Sequence, residues 1–389
     1  MNSTGNHTNS LGSEIVGNGN DFQFYKEAHS LQVLRLIFQV LLASVGVAGN
    51  AMVCLVITFQ PQMHTTINYF IRNLAIADLG ILIFSFPLAV IMEQVPSHWP
   101  LGEFFCRYIF PLSDIFFGVS VWSIALIAVD RHRAIVRGAL PKRGSTVFKS
   151  ARRMVAGVWM ISFLIISLPL YFVMNFTDHR PVINIVECSP KWPNKEEEDE
   201  MRQIYIIGLT IFWYVLPLAI ATVTFSSITR KLRTSTRFNK SIRDDGGRDT
   251  EKRARKRLRE RQNSKAKKLL TPVVLVFAVT MLPLNVFRLV FLYWKEFTLH
   301  KYFWVYYNVC VICVITNSSA NFFIYSVVSE EFRQSFKSFI CRKMGVPSNS
   351  ITERTLRSPA LSPINLSPIN NRNDEDQTKN NNTERETLM

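Results

Sequence analysis

The sequence predicts an all-α membrane protein: a seven-transmembrane helix bundle followed by a short amphipathic helix along the membrane. Three observations carry this. Of 389 residues, 48% are hydrophobic and only 19% charged, which fits neither a soluble globule nor a disordered chain. The apolar residues gather into seven runs, over about 34–58, 69–92, 106–129, 154–174, 204–229, 269–293 and 302–328. Each reaches the roughly 20 residues a helix needs to cross about 30 Å of hydrocarbon. The formal net charge of +16 is concentrated in a few connecting segments, a pattern of membrane loops rather than of nucleic-acid binding.

In lipid an open-ended segment satisfies its own backbone only as a helix, so each run is read as one. Pro87, Pro169, Pro217 and Pro283 lie inside the runs. Within a bundle the carbonyls that proline leaves unpaired find other partners, so kinks are expected rather than breaks. Orientation follows from lysine and arginine. The connection after the third run carries Arg131, Arg133, Arg137, Lys142, Arg143, Lys149, Arg152 and Arg153; the one after the fifth, 230–268, holds 17 Lys and Arg around EKRARKRLRER. Positive loops stay in the cytoplasm, so the N-terminus is expected outside and the C-terminal tail inside. The loop around 60–66 is almost without positive charge, and the rule rests on the later ones.

The boundaries follow: an extracellular tail over 1–33, the bundle over 34–328, the amphipathic helix over 329–342 and a cytoplasmic tail over 343–389. The first 26 residues are polar and lack an apolar signal-peptide core, so the first run is expected to target the chain. Asn2, Asn6 and Asn175 open glycosylation sequons on the expected outer side; Asn381 opens one on the inside, the background of an Asn-rich chain. The tail is rich in Asn, Ser and Pro, repeats LSPINLSPIN at 361–370, and has too little apolar content to fold. In SEEFRQSFKSFIC, at 329–341, Phe332, Phe336, Phe339 and Ile340 share one helical face, as an interfacial helix requires.

Each run also carries residues that a lipid-facing helix does not need. Gly49-Asn50 lies near the end of the first, and NLAIADL places Asp78 in the second. Cys106 opens the third, which closes on Asp130-Arg131-His132. Trp159 is in the fourth, Pro217 in the fifth, and Phe277 with Pro283 in the sixth. The seventh has Asn317-Ser318, then Asn321-Phe322-Phe323-Ile324-Tyr325. Taken in order, this set resembles that of the rhodopsin-like (class A) G protein-coupled receptors, over about 34–342. Cys106 and Arg131 are 25 positions apart, roughly 37 Å of helix, which puts them at opposite membrane surfaces.

The resemblance implies roles for particular residues. Cys106 and Cys188 correspond to the family's disulfide between the third helix and the second outer loop; the alternative is two free thiols. Asp78, the costliest residue if unpaired, stands with Ser120, Asn317, Ser318 and Asn321 where the family offers oxygens to a sodium ion. The same side chains also suffice for a purely structural polar network. Arg131, resting against Asp130, corresponds to the hinge of the G protein switch, with Tyr325 as the matching tyrosine at the inner end of the seventh helix. Alone, an arginine there would only satisfy the positive-inside rule. Cys341 corresponds to the palmitoylation site, against a free thiol. Three positions depart from the family: Phe322 replaces a Pro, Met281 a Trp, and Phe225 a frequent Tyr. A flexible Met in place of a rigid Trp is expected to loosen the switch, with high ligand-independent signalling as its sign.

The same resemblance narrows the ligand. Amine receptors carry an Asp where Ser113 stands, and opsins a Lys where Ile315 stands. VINIVE, at 182–187, alternates and is β-branched, so a hairpin is expected there. With Trp99-Pro100-Leu101-Gly102 and a general similarity to neuropeptide Y and galanin-like receptors, it implies an extracellular peptide ligand. Acidic residues at Glu93, Glu187 and 196–200 (EEEDE) would steer a basic peptide, although EEEDE equally serves as a solvated helix start. Asp114 and Glu187 join Met281, Asn285 and Arg288, which share a face of the sixth helix, as the expected ligand site. There Arg288 is expected to pair with Asp114 or Glu187, or with a carboxylate of the ligand.

On the inner side, 230–268 would meet anionic lipid, calmodulin or a heterotrimeric G protein. Ser358 and Thr355 are targets for receptor kinases, with arrestin a further expected partner. Localisation at the plasma membrane follows. No nucleophile–base pair or metal-spaced cluster indicates an enzyme, and no cofactor beyond sodium is implied. Two rival readings are a receptor-like protein that binds without signalling and a seven-helix transporter; against the latter stands the lack of internal repeats and of charges lining a path.

Overall fold

The computed structural model describes residues 27–95, 98–136, 145–179, 185–192, 198–241 and 250–343. Asn2, Asn6, Thr355, Ser358 and the tail from 344 onward lie outside the described residues. Seven helices are long and apolar enough to cross a membrane: α1 (His29–Phe59), α2 (Thr66–Gln94), α3 (Gly102–Ile135), α4 (Lys149–Val173), α5 (Glu198–Thr234), α6 (Leu270–Tyr293) and α7 (Phe303–Val328). They match the seven apolar runs in order, most with a few polar residues added at the ends. The helix of α5 continues to Ser241, and that of α6 begins at Thr250. Much of the basic segment expected as a loop is therefore helical, because the Arg, Lys, Glu and Gln that make it polar are also strong helix formers.

Pro87, Pro169 and Pro217 each sit two residues beyond a turn of π-helix, at Ile81–Ser85, Phe163–Ser167 and Ile211–Val215. Proline offers no N–H to the preceding turn and its ring crowds the carbonyl there, so the backbone widens by one residue and continues. Pro111, not among the positions expected to kink, does the same after Phe105–Ile109. Pro283 does not: the helix stays α-helical through it.

A hairpin covers the Cys106 end of the bundle. Its strands are β1 (Met174–Asp178) and β2 (Val186–Pro190), antiparallel, with Phe176 opposite Cys188 and Asn175 opposite Ser189. The hairpin is thus centred later than VINIVE: only Val186 and Glu187 of that stretch enter β2, Ile185 stays outside it, and 182–184 lie outside the described residues. The reason is the bond between Cys106 and Cys188, which ties the middle of β2 to α3. Trp99 fastens the same strand from the α2–α3 connection. Its backbone N–H donates to the Val186 carbonyl at 2.7 Å, its indole donates to the Gly102 carbonyl at 2.9 Å, and its ring meets Phe110 edge-on. Gly102 holds the left-handed φ of 75° that opens α3.

The described residues up to Phe339 belong to the first of two compact units. The core of the first runs through the bundle, from Val53 and Leu74 to Ile124, Ile228 and Phe277. Leu34, Val223, Val279 and Val327 point outward, a surface suited to lipid. Beyond α7, helix α8 (Glu330–Lys343) turns Phe332, Phe336 and Phe339 onto that core. Phe332 is buried beside Tyr325, and Phe339 stacks on Phe59 of α1. Arg333 donates to the Ser326 and Val327 carbonyls that end α7, which need a donor from outside the helix.

Helices α1 and α7 approach closely because α1 presents glycines. A Cβ on Gly49 would lie 2.5 Å from Cγ of Phe322, and one on Gly46 would collide with the Ser319 hydroxyl. Phe322, the residue that replaces the family's Pro, is accommodated in this notch, and α7 runs unbroken from Phe303 to Val328. Gly49→Ala is expected to destabilise the purified protein by about 1–3 kcal/mol through overpacking. In a Phe322→Ala background most of that loss should disappear; thermal unfolding of the four variants measures the coupling.

Candidate functional site

The deepest polar group is Asp78, fully buried in α2. Its Oδ1 accepts from the Ser120 hydroxyl of α3 at 2.8 Å, and its Oδ2 from Asn321 Nδ2 of α7 at 2.8 Å. One turn back along α7, Asn317 Oδ1 accepts from Thr280 of α6 at 3.2 Å. Asn50 of α1 donates to the carbonyls of Gly46 and Ser318 at 3.0 and 2.9 Å. A second arm starts at Asn73 of α2, which donates to Ser123 of α3 at 2.8 Å and accepts from the Trp159 indole of α4 at 3.0 Å. Thus Asp78, Ser120 and Asn321 meet, Asn317 and Ser318 lie in the same seam, and Asn73, Thr280 and Ser123 are additional members.

The oxygen set fits sodium: a carboxylate, the Ser120 hydroxyl, and the buried Ser318 hydroxyl, which also faces Asp78. Among the described residues no group of three His, Cys, Asp or Glu is placed to hold a metal ion.

At the opposite end of α3 from Cys106, Arg131 donates through Nε and Nη2 to Asp130 Oδ2, at 3.2 and 2.5 Å. Tyr325 is buried and, among the described residues, its hydroxyl has no hydrogen-bond partner. Asp130 and Arg131 are therefore joined, whereas no hydrogen bond among the described residues links Tyr325 to them.

Deep in the bundle, Met281 and Asn285 are buried on α6. Asn285 Nδ2 donates back to the Met281 carbonyl at 2.7 Å, which leaves its Oδ1 without a donor. Arg288, one turn on, lays its guanidinium over Trp213 of α5, Cζ 4.2 Å from the ring centre, a cation–π contact. Its Nη1 is buried and, among the described residues, has no hydrogen-bond partner. Asp114 is half-buried on α3 and within Coulombic reach of Arg288, yet among the described residues Arg288 forms an ion pair with neither Asp114 nor Glu187. The expected pairing is thus replaced by stacking, because Trp213 offers its face across the α5–α6 contact. Trp213 also stacks on Phe117; inside an apolar run it carries no signal that would single it out. Tyr205 is held nearby, its hydroxyl donating to the Ile166 carbonyl at 3.0 Å. Glu187 is exposed on β2 opposite Thr177.

The acidic surface expected to steer a ligand is smaller than its residues imply. Glu93 is enclosed, its carboxylate held by Arg35 and Asn308. Of EEEDE, residues 196 and 197 lie outside the described residues. The rest form the first turn of α5, where Asp199 pairs with Arg202 at 2.7 Å and carboxylates favour the helix start. Asn175 is half-buried on β1, its amide donating to Thr177 Oγ1 at 3.0 Å. Cys341 is a half-buried free thiol on α8.

Seven membrane-length helices, a strand hairpin bonded to the third of them, and a polar seam through their middle define a seven-helix membrane receptor architecture. Residues 49–325 match the family described as "7 transmembrane receptor (rhodopsin family)", and the chain belongs to that family. It is similar to the Neuropeptide F receptor of Drosophila melanogaster, 29% identical over 308 residues that cover 76% of this chain and 60% of the fly protein. The match thus spans less than two thirds of that receptor's length. Galanin receptor type 1 of Rattus norvegicus is 29% identical over 344 residues, 84% of this chain and 89% of the rat one. Neuropeptide FF receptor 2 of the same species is 28% identical over 330 residues, 80% and 73%.

Asp78→Ala would strip the Ser120 hydroxyl and the Asn321 amide of their acceptors. Each buried group left unsatisfied costs about 1–3 kcal/mol. The melting temperature of purified protein should fall well below that of the wild type, and less for Ser120→Ala, which removes one donor and leaves Asp78 paired with Asn321.

Proposed function

We propose that the protein is a plasma-membrane receptor for an extracellular peptide and activates a heterotrimeric G protein. The observation that carries this reading is the set of buried polar atoms left open between α3, α5 and α6. Arg288 Nη1 offers a donor and Asn285 Oδ1 an acceptor, with the Asp114 carboxylate across from them. A peptide supplies what each lacks: a carbonyl or carboxylate for Arg288, and an N–H or cation for Asn285 and Asp114. The similarity to receptors named for neuropeptides and galanin, at 28–29% identity, supports the ligand class.

The proposed route inward is α6. Ligand bound at Asn285 and Arg288 pulls on a helix that is tied to α7 through Thr280 and Asn317, and to α5 through the Tyr214 hydroxyl, which donates to the Ala278 carbonyl. Displacement of α6 then frees Arg131 from Asp130 for the G protein, with Tyr325 moving into the space. In this reading the hairpin end faces outward and is glycosylated at Asn2, Asn6 and Asn175. Helix α8 lies along the inner surface, palmitoylated at Cys341, and the basic helix ends meet anionic lipid and the G protein. Receptor kinases and arrestin act on the tail, and sodium at Asp78 holds the resting arrangement. Met281 and Phe322 favour a second reading, in which the chain binds ligand without signalling.

Ligand-stimulated nucleotide exchange on a panel of G proteins, driven by a panel of peptides, separates the two. With an active peptide in hand, Arg288→Ala should lower potency at least about tenfold, the loss of one charge-assisted bond. Asp114→Ala should do the same for a peptide carrying a cation. Unchanged potency in both variants removes the site. Thermal melting tests the ion: sodium chloride, but not choline chloride, should stabilise the wild type, and Asp78→Asn should abolish that difference. Labelling of intact cells at an introduced cysteine within 230–268 should fail; efficient labelling would reverse the orientation.

A further inference from the structure

Among the described residues the most enclosed ion pair is Arg35–Glu93, with side chains 12% and 9% exposed. It joins α1 to α2 near the hairpin end, and it is forked. Arg35 Nη2 donates to Glu93 Oε1 at 2.6 Å and Nη1 to Oε2 at 3.2 Å, the geometry that makes such pairs strong and directional. Asn308 of α7 closes the arrangement, donating through Nδ2 to Glu93 Oε1 at 2.8 Å and accepting from Arg35 Nη1 through Oδ1. Gln39, one turn along α1, donates to the same Asn308 oxygen at 3.4 Å. Arg35 Nε holds Glu27, just before α1, at 3.1 Å. The neighbouring Tyr307 donates to the Ala89 carbonyl of α2 at 3.1 Å.

An enclosed ion pair adds little net stability, because desolvation offsets most of its attraction, while breaking it leaves an unanswered charge. Its physical effect is registration, and here it registers α7. That helix is continuous, with Phe322 in place of a proline, so its two halves move together. Asn308 and Asn321 are 13 positions apart, roughly 20 Å of helix, and both are bonded to carboxylates of α2, Glu93 and Asp78. Helix α7 is therefore pinned to α2 at two heights, and its hairpin end cannot shift without breaking Asn308's bonds or carrying α1 and α2 along. The bonds are closed in the same structure in which Asp130 and Arg131 are paired.

We propose that Arg35, Glu93 and Asn308 form a clasp that fixes the hairpin end of α7 to α1 and α2 and restrains switching, so that loosening it raises ligand-independent activity. The second half of this rests on the receptor reading above. No ligand group has to enter the clasp; it sets how readily α7 yields when α6 is pulled.

The test uses the full-length protein in lipid nanodiscs, with Glu93→Gln, Arg35→Gln and the charge-exchanged double variant R35E/E93R. All variants are made in a Glu27→Gln background, because Glu27, bonded to Arg35 in the wild type, would otherwise repel the carboxylate of R35E. The Asn308 amide can turn over to serve the reversed pair, so the double variant should recover what each single loses. The first measurement is the distance distribution between spin labels at Val33→Cys and Val309→Cys, both exposed, with the four free cysteines replaced by alanine. Glu93→Gln should broaden or lengthen it, and R35E/E93R should restore a single narrow distance. The second is nucleotide exchange without ligand, which Glu93→Gln should raise about fivefold, the low end of ordinary coupling between sites, and the exchange variant should return towards wild type. Unchanged distances in both single variants overturn the clasp. Altered distances with unchanged basal exchange, in a receptor that responds to a peptide, overturn its control of activity. If no variant, wild type included, promotes exchange with any peptide, it is the receptor reading that fails, and the distances alone then decide whether the clasp exists.

Discussion

A carboxylate at bilayer depth has to be met by donors, and Asp78 is met from two other helices. Neither Ser120 nor Asn321 lies near it in sequence, so the charge is tolerable only when α2, α3 and α7 are packed in one register. From that requirement the rest of the middle of the bundle follows. Asn317 reaches Thr280 on α6, Asn50 reaches the backbone of α7, and Asn73 links α3 to α4 through Ser123 and Trp159. Apolar packing brings helices together without choosing a rotation, since the lipid is as apolar as their side chains. The polar seam makes that choice.

The backbone departures serve the same packing. Four prolines widen their helices into π turns and re-aim the segments beyond them. The unbroken α7 is the opposite case. Where the family carries a proline this chain has Phe322, and the ring occupies the space that Gly49 leaves on α1. The helix therefore behaves as a single rod between the hairpin end and Tyr325, which gives the Asn308 contacts leverage over residues far along it.

The two ends of the bundle differ in how their charges are handled. At the hairpin end, Arg288 is stacked on Trp213 with a donor open, beside an Asp114 that is close but unjoined; this is a site with capacity left for a ligand. Arg35 and Glu93 at the same end are saturated by each other and by Asn308, so they hold structure instead of offering contacts. At the Arg131 end, the only enclosed pair among the described residues is between sequence neighbours, Asp130 and Arg131. Such a pair constrains no second helix and can open without disturbing the fold.

Sequence alone determined the seven helices, because crossing hydrocarbon demands long apolar runs, and it located Asp78 and the Phe face of α8, whereas the Cys106–Cys188 pair was implied only by the family resemblance. These signals are local or carried by residue types that lipid does not tolerate without a reason. Tertiary structure decided which polar groups meet. Glu93 looks like an exposed acid until Arg35 and Asn308 are brought beside it from helices more than fifty residues away in either direction. Arg288 looks like a partner for Asp114 until Trp213 intervenes from α5. The hairpin register, too, was set by a covalent bond to α3 and not by the β-branched stretch before it. Contacts between distant segments depend on the rotation of each helix about its axis, and a pattern of apolar residues fixes that rotation only to within a face.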